Sequence, residues 1–345
     1  MKRPKHNPTM ADVARLAGTS TMTVSRALKG SDAVTMETRS RVMRAVDELG
    51  YILDLSAPAL SSRKTGVVPV LIPSLNNSNF SEIVQGIFEV FHGEAEPQQI
   101  LLGCTGYSRH QEETLVQTLL QRRPEGMIVT GGLHTPRARQ LLLRAEIPVL
   151  ELWELPENPI DHAIGFSGST VIQDMVARLR SRGYRNIAYI GGHSTDDTRK
   201  NERLAGYQQA VESLGLERAH VISMGHPPIT VNHGCQAVVR LLEEWPAVEA
   251  VVCVSDLPAF GAIMECHRRG WKVPERLAVA GFGDFEIARS CWPAITTASI
   301  NGAEIGHRAA RLMVEAIAAR ASGAPLERRT ITIPHAIIER ESTRR

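Results

Sequence analysis

Residues 9–28 read Thr9-Met10-Ala11-Asp12-Val13-Ala14-Arg15-Leu16-Ala17-Gly18-Thr19-Ser20-Thr21-Met22-Thr23-Val24-Ser25-Arg26-Ala27-Leu28, and this stretch decides the first part of the architecture. Thr9 and Asp12 have the spacing of a capping box, in which a hydroxyl and a carboxylate satisfy each other's backbone amides at a helix start. The helix they open runs to Ala17, with Val13, Ala14 and Leu16 as its apolar side. Gly18 supplies the left-handed conformation that ends a helix at little cost. Ser20 caps a second helix through Leu28, whose Val24, Ala27 and Leu28 face inward. Gly30-Ser31-Asp32 breaks the chain. Thr35 then opens a third helix of about fourteen residues, with Val42, Val46 and Leu49 at core spacing and Gly50 after its end. Two short helices joined by a glycine turn and braced by a third form the helix-turn-helix pattern.

The second helix is then the recognition helix. Its outward residues Thr21, Met22, Thr23, Ser25 and Arg26 are small or hydrogen-bonding groups followed by one arginine. Small side chains let the backbone approach a major groove, where Thr21 and Met22 reach base edges and Arg26 forks onto guanine. Thr9, Ser20, Thr23, Ser25 and the helix N-termini are placed to hold phosphates, which set register without reading sequence. Shape alone would equally fit a three-helix packing unit with a solvated polar face. Charge points toward a polyanion: residues 1–64 carry eleven Lys/Arg against six Asp/Glu, a balance of +5 within a chain of net charge +2. A basic head on a slightly acidic body is the electrostatic footprint of a head that meets nucleic acid.

The stretch from Met10 to Ser20, then Thr23-Val24-Ser25-Arg26-Ala27-Leu28, closely resembles the headpiece of the lactose-repressor (LacI) family. So does the stretch from Arg39 through Glu48-Leu49-Gly50-Tyr51, without a gap. The resemblance implies that residues 1–51 are the DNA-binding headpiece and residues 52–65 a hinge. In the family the hinge becomes helical only on the operator, where a paired leucine wedges into the minor groove. Such wedges exchange base unstacking for a larger wrapped interface. Here the segment is Ser56-Ala57-Pro58-Ala59-Leu60-Ser61-Ser62, with Leu60 at the wedge position and Arg63 and Lys64 near phosphates. It departs from the family pattern: Leu53-Asp54 stands where Pro-Asn is usual, and Pro58 removes a backbone donor unless it lies in the first turn, which puts the hinge-helix start near Ala57.

From Gly66 onward, apolar runs alternate with amphipathic stretches. Strands are expected at Val67–Ile72, Ile100–Cys104, Gly126–Thr130, Val149–Leu152, Ile187–Gly191, Val251–Val254 and Leu277–Gly281, with helices such as Glu112–Gln121, Val171–Arg182 and Leu204–Leu214 between them. Alternating β and α units imply parallel sheets with helices on both faces, and ligands beyond the carboxyl ends of the strands. Two successive sets of strands make two doubly wound lobes. A chain of 345 residues with 43% hydrophobic content has room for two or three domains with real cores. No apolar run is long enough for a membrane span and no signal sequence is evident, so a cytoplasmic protein without membrane partners is expected. The cysteines Cys104, Cys235, Cys253, Cys266 and Cys291 are scattered, so they read as thiols and not as a disulfide framework or zinc site. Neither GxGxxG nor a Walker loop, HExxH or GxSxG occurs, so no catalytic residues, metal or cofactor are expected.

The body also resembles the family, through Ile83-Val84-Gln85-Gly86-Ile87, Arg203-Leu204-Ala205-Gly206-Tyr207, Ser255-Asp256-Leu257-Pro258-Ala259-Phe260-Gly261-Ala262, Val279-Ala280-Gly281-Phe282-Gly283-Asp284 and the crossing Pro293–Thr297. This implies a periplasmic-binding-protein fold over residues 66–345 that dimerises and holds a small-molecule effector between its lobes. Lobe one is expected near 66–165 plus 300–328, and lobe two near 166–299 plus 329–341. The resemblance places Ser74, Asn79, Phe80, His134, Thr135 and Glu151 in the pocket from lobe one, and Arg203, Ser255 and Gly283 from lobe two. Asp256 is expected to orient its loop, and Arg199 and Lys200 to be solvated in a polar loop. Arg203 could instead pair with Asp196 or Asp197. The family often has Asn at the place of Ser255 and Asp at that of Gly283, so this cleft lacks one carboxylate. An arginine forks onto a carboxylate with two parallel hydrogen bonds, so a sugar acid suits it better than a neutral sugar. The loop His134-Thr135-Pro136-Arg137 followed by Glu151 looks like the gluconate-operon repressor branch. The expectation is a repressor whose operator affinity changes with gluconate or a related aldonate, through a shift of one lobe against the other that moves the hinges. A neutral-sugar regulator and a sugar-acid enzyme are the alternatives. The chain ends without a leucine-heptad tail, so a homodimer is the default.

Overall fold

The computed structural model describes residues 8–28, 30–52, 65–94, 97–192, 197–225 and 228–344. It forms two compact units that meet in sequence between Thr65 and Gly66. The hinge positions named above, Leu60 and Pro58 included, lie outside the described residues.

In the first unit, α1 spans Met10–Leu16, α2 Thr21–Leu28 and α3 Met36–Leu49. The capping box at α1 is complete: the Asp12 amide donates to Thr9 Oγ1 at 3.3 Å, and the Thr9 amide donates to Asp12 Oδ2 at 2.9 Å. Ser20 Oγ accepts from the Thr23 amide at 3.1 Å, and Gly50 ends α3 at φ +62°. Val13, Ala14, Ala17, Val24, Ala27, Val34, Val42 and Ala45 form one small buried core, with Leu28, Val46, Leu49 and Tyr51 packed on it. Leu16, read from the sequence as part of the apolar side, is 46% exposed. Val13 and Ala17, four residues apart, share the inward face, and Leu16 falls on its flank. A core this small leaves the unit dependent on its caps. Thr9→Ala is expected to lower headpiece stability by about 1 kcal/mol. An unshifted headpiece transition in a thermal melt of the variant would contradict that dependence.

The second unit holds two parallel sheets. The first receives β1 (Val67–Ile72), β2 (Gln99–Cys104), β3 (Met127–Thr130), β4 (Val149–Trp153) and β5 (His162–Gly165), alternating with α4 (Ser78–Gly93), α5 (Arg109–Leu120) and α6 (Pro136–Arg144). After α7 (Gly168–Ser181) the second sheet takes β6 (Ile187–Gly191), β7 (Val221–Ser223), β8 (Ala250–Cys253), β9 (Ala278–Phe282) and β10 (Thr296–Ser299), with α8 (Thr198–Ser213), α9 (Val231–Glu244), α10 (Asp256–Arg268) and α11 (Glu286–Ser290) between them. The chain then returns to the first lobe as α12 (Gly302–Ser322), which lies along α4. That contact is close because glycines meet there: a Cβ on Gly306 would sit 2.3 Å from the Ile83 carbonyl oxygen.

Strand β11 (Thr330–Thr332) completes a first sheet ordered β11-β5-β4-β3-β1-β2, and β12 (Ala336–Ile338) a second ordered β12-β10-β9-β8-β6-β7. Residues 329–333 therefore do not join lobe two as the sequence suggested. Thr330, Ile331 and Thr332 pair in parallel with β5, and the last crossing between lobes falls after them. β12 pairs antiparallel with β10. The central strands are buried on both faces, which is why β6, β8 and β9 read as apolar runs, while β4 carries the buried Glu151 among its apolar residues. Among the described residues no helix is long and apolar enough to cross a membrane.

Candidate functional site

On the headpiece, Ser20, Thr21, Met22 and Arg26 are exposed, Met22 to 62%, while Thr23 and Ser25 are half-buried and Val24 and Ala27 hold the helix to the core. The hydroxyls of Ser20 and Thr23 bond each other at 2.9 Å, and that of Thr9 donates to Asp12 at 2.7 Å. The row of free side chains is therefore Thr21, Met22 and Arg26, along one edge of α2.

In the second unit a cavity of about 400 Å³ opens at the carboxyl ends of both sheets. Ser74, Asn76, Asn77, Phe80, Tyr107 and Trp153 line it from lobe one, and Asp197, Arg199, Lys200, Arg203, Thr230, Asn232, Val254 and Ser255 from lobe two. The lobe-one wall is aromatic. Trp153 ends β4 at φ +80°, a strained conformation for a bulky residue, which turns its indole onto Phe80 with ring centroids 4.7 Å apart. Gly165 permits the kink, since a Cβ there would meet the Trp153 carbonyl oxygen at 2.3 Å.

The lobe-two wall is cationic and comes from the first turns of α8. Arg203 is buried; its Nε donates to the Arg199 carbonyl at 3.0 Å and its Nη1 to the Val254 carbonyl at 2.7 Å, while the guanidinium lies 4.7 Å over the Phe282 ring. Arg199 donates from Nε to Asp197 Oδ1 at 2.7 Å. Burial pushes the Asp197 carboxyl up, but Arg199 and Arg203 more than offset it and hold it below the usual range. The Arg199 Nη1 is buried without a hydrogen-bond partner among the described residues. Lys200 donates to the Gly225 carbonyl at 2.8 Å, and burial lowers its pKa. Arg199 and Lys200 thus correct the reading that set them in a solvated loop: both are buried and line the cavity. The available signal was helical spacing, since residues 199, 200 and 203 share one face of a helix. Tyr107 and Trp153 were missed as well. The pairing of Arg203 with Asp197 is replaced by that of Arg199, and Asp196 lies outside the described residues.

Ser74, Phe80, Arg203 and Ser255 of the sequence-derived pocket are brought together around this cavity. Asn79 and Gly283 are not among its lining residues but meet each other between the lobes. A Cβ on Gly283, whose φ is +124°, would lie 2.8 Å from Asn79 Nδ2 and 2.4 Å from Phe285 Cε1, so an aspartate here would be strained and would force both side chains to move. Asp256 is buried behind Ser255, accepting from Thr297 Oγ1 at 2.6 Å and from the Phe285 amide at 2.8 Å, and burial raises its pKa to about 6. It fastens the loop after β9 to the start of α10.

His134, Thr135 and Glu151 stand apart from the cavity, which corrects their assignment. His134 Nδ1 is 2.5 Å from Glu112 Oε1 and its Nε2 is 3.2 Å from Glu151 Oε1, all three side chains being buried inside lobe one. Glu151 also accepts from the Ile160 amide at 2.6 Å. Burial alone would lower the imidazole pKa, yet the two carboxylates raise it to about 9. Thr135 caps α6 and donates to Glu113 Oε2 at 2.5 Å. These groups fix a loop and are not among the residues that line the cavity.

A helix-turn-helix unit followed by a two-lobed binding domain with a lined interlobe cavity defines a ligand-responsive DNA-binding regulator. Comparison with known proteins agrees. Residues 9–54 match the profile of the bacterial regulatory proteins of the lacI family, and residues 176–343 that of the periplasmic binding protein-like domain. The chain is 34% identical over 320 residues to the HTH-type transcriptional regulator GntR of Pseudomonas aeruginosa, spanning 92% of each chain. It is 33% identical over 293 residues to GntR of Escherichia coli, spanning 85% of this chain and 87% of that one. The crystal structure of a LacI-family transcriptional regulator from Silicibacter pomeroyi matches with a TM-score of 0.88 at 30% identity, over 98% of this chain and all of the other. The chain belongs to the LacI family of DNA-binding transcriptional repressors.

Proposed function

We propose that this repressor changes its operator affinity when a sugar acid, gluconate or a related aldonate, binds in the interlobe cavity. The observation that carries the reading is the cationic wall: Arg199, Lys200 and Arg203 face the cavity, and among the described lining residues Asp197 is the one carboxylate against them. Like charges packed this closely repel, and a ligand anion offsets that cost. Ser74, Asn76, Asn77, Thr230, Asn232 and Ser255 supply groups for hydroxyls, and the Phe80–Trp153 face supplies apolar cover for the carbon chain. The relatives matched over most of the chain include regulators of the GntR and IdnR type, the branch the sequence resembles, alongside the CytR repressor.

On this reading the chain acts as a homodimer. Thr21, Met22 and Arg26 read base edges, Ser20, Thr23, Ser25 and the amino end of α1 hold phosphates, and Leu60 of the hinge wedges the minor groove. Closure of the cavity around the acid shifts one lobe against the other and alters the spacing of the paired hinges.

The test is anisotropy on a palindromic operator, titrated with gluconate, 2-ketogluconate, galactonate and neutral sugars. Specific binding that weakens steeply with salt is expected, with a change in affinity on adding an acid and none with the neutral sugars. Release marks an inducer and tightening a corepressor. Operator binding indifferent to every acid would remove the sugar-acid effector and leave the repressor.

A further inference from the structure

Within the cavity the two arginines are not equivalent. Arg203 spends Nε and Nη1 on the backbone carbonyls of Arg199 and Val254 and lays its guanidinium over Phe282, so most of its bonding ties α8 to the end of β8. Arg199 spends only Nε, on Asp197. Its Nη1 is buried without a hydrogen-bond partner among the described residues. The paired terminal nitrogens are the edge that receives two carboxylate oxygens in parallel. A buried charged donor without an acceptor is a costly arrangement that folded proteins rarely keep without a ligand to satisfy it. The rings of Phe80 and Tyr107 lie 5.7 and 5.4 Å from the Arg199 guanidinium, which limits how it can turn away from the cavity.

The geometry points to Arg199 as the residue that selects an anionic effector, with Arg203 as a positioning residue that builds the wall. The assignment rests on the reading of the cavity as the effector site. It also places the selecting cation at the seam. Arg199 is carried by lobe two, and its aromatic neighbours Phe80 and Tyr107 belong to lobe one. An anion received there is held in register with both halves.

The experiment is calorimetry on the full chain and on Arg199→Gln, Arg199→Lys and Arg203→Lys, with gluconate, 2-ketogluconate and galactonate as acids and glucitol as the neutral counterpart of gluconate. Arg199→Gln is expected to weaken the acid by roughly 10- to 100-fold, the loss of a two-point charged contact, while glucitol affinity stays within about threefold. Arg199→Lys keeps the charge without the fork and should recover part of the acid affinity. It also carries the test if the glutamine variant fails to fold. Arg203→Lys should weaken acid and polyol together. An Arg199→Gln protein that keeps the wild-type preference for acid over polyol would overturn the assignment while leaving the sugar-acid reading in place. If the wild type binds none of the acids, that reading falls, and inorganic phosphate becomes the probe. Phosphate that raises the wild-type melting temperature above matched chloride, but not that of Arg199→Gln, would still support an anion site at Arg199. No stabilisation of the wild type would overturn it.

Discussion

Replacing His134 with leucine is expected to lower the unfolding free energy of the effector domain by about 3 to 5 kcal/mol at pH 7. The imidazolium lies between Glu112 and Glu151 with 1% of its side chain exposed, so its removal leaves two buried carboxylates facing each other. The interaction carries a pH signature of its own. The pKa of His134 rises from 6.5 to about 9 on folding, so the protonated ring stabilises the native state. That stabilisation is fully present below about pH 6.5 and is lost as the pH rises through about 9. The difference is on the order of 3 kcal/mol. Denaturant titrations at pH 6 and pH 9.5 should show wild type losing stability across this interval, and the variant losing less. Equal losses in both proteins would show that the ring is neutral in the fold.

The second large effect is steric. Helices α9 and α10 cross through facing glycines. A Cβ on Gly261 would lie 1.9 Å from the Val231 carbonyl oxygen, and one on Gly234 would lie 2.0 Å from that of Pro258. Backbone cannot yield as the tip of a flexible side chain can, so the helices must separate. Gly261→Val is expected to destabilise by about 3 kcal/mol or more, beyond the usual range for overpacking. That corresponds to a fall of roughly 5 to 10 °C in melting temperature. Gly93→Ala, at the end of α4 with open space around it, is the control and should melt as wild type does or slightly higher. A Gly261→Val protein that melts with the control would mean that the two helices are not packed as described.

The headpiece was legible because each of its decisions is local. A hydroxyl and a carboxylate three residues apart cap α1, a left-handed glycine follows α3, and Val13, Val24 and Val42 bury one valine from each helix in the shared core. Strands β1, β3, β4, β6, β8 and β9 were equally plain, since burial on both faces leaves mostly apolar residues, whereas β5 and β10, with His162 and two threonines, were not read as strands. β7, β11 and β12 escaped because three residues at a sheet edge carry no period. The site divided along the same line. Arg203 stands in a recognisable run, whereas Arg199 is covered by Phe80 and Tyr107 of the other lobe and Lys200 by its bond to the distant Gly225 carbonyl, and charges beside a polar loop ordinarily meet water. His134 shows the opposite error. Its loop resembles a ligand loop, but Glu112, twenty-two residues earlier in the chain, claims the imidazole first. Gly283 was read as a missing carboxylate, whereas its φ and its closeness to Asn79 and Phe285 show a backbone position at which any side chain is strained.

The return of α12 and β11 to the first lobe bears on how the chain is made. Lobe one begins at β1, yet its last helix spans Gly302–Ser322 and its edge strand Thr330–Thr332. On a ribosome, β5 emerges well before either, and at ordinary elongation rates the interval is on the order of ten to thirty seconds. Throughout it the face of α4 that holds Ile83 and Gly86 has no covering helix, while lobe two is being synthesised beside it. The nascent repressor therefore has a long window in which its oldest lobe is incomplete, and a headpiece already able to fold waits on the last residues of the chain for a finished sensor.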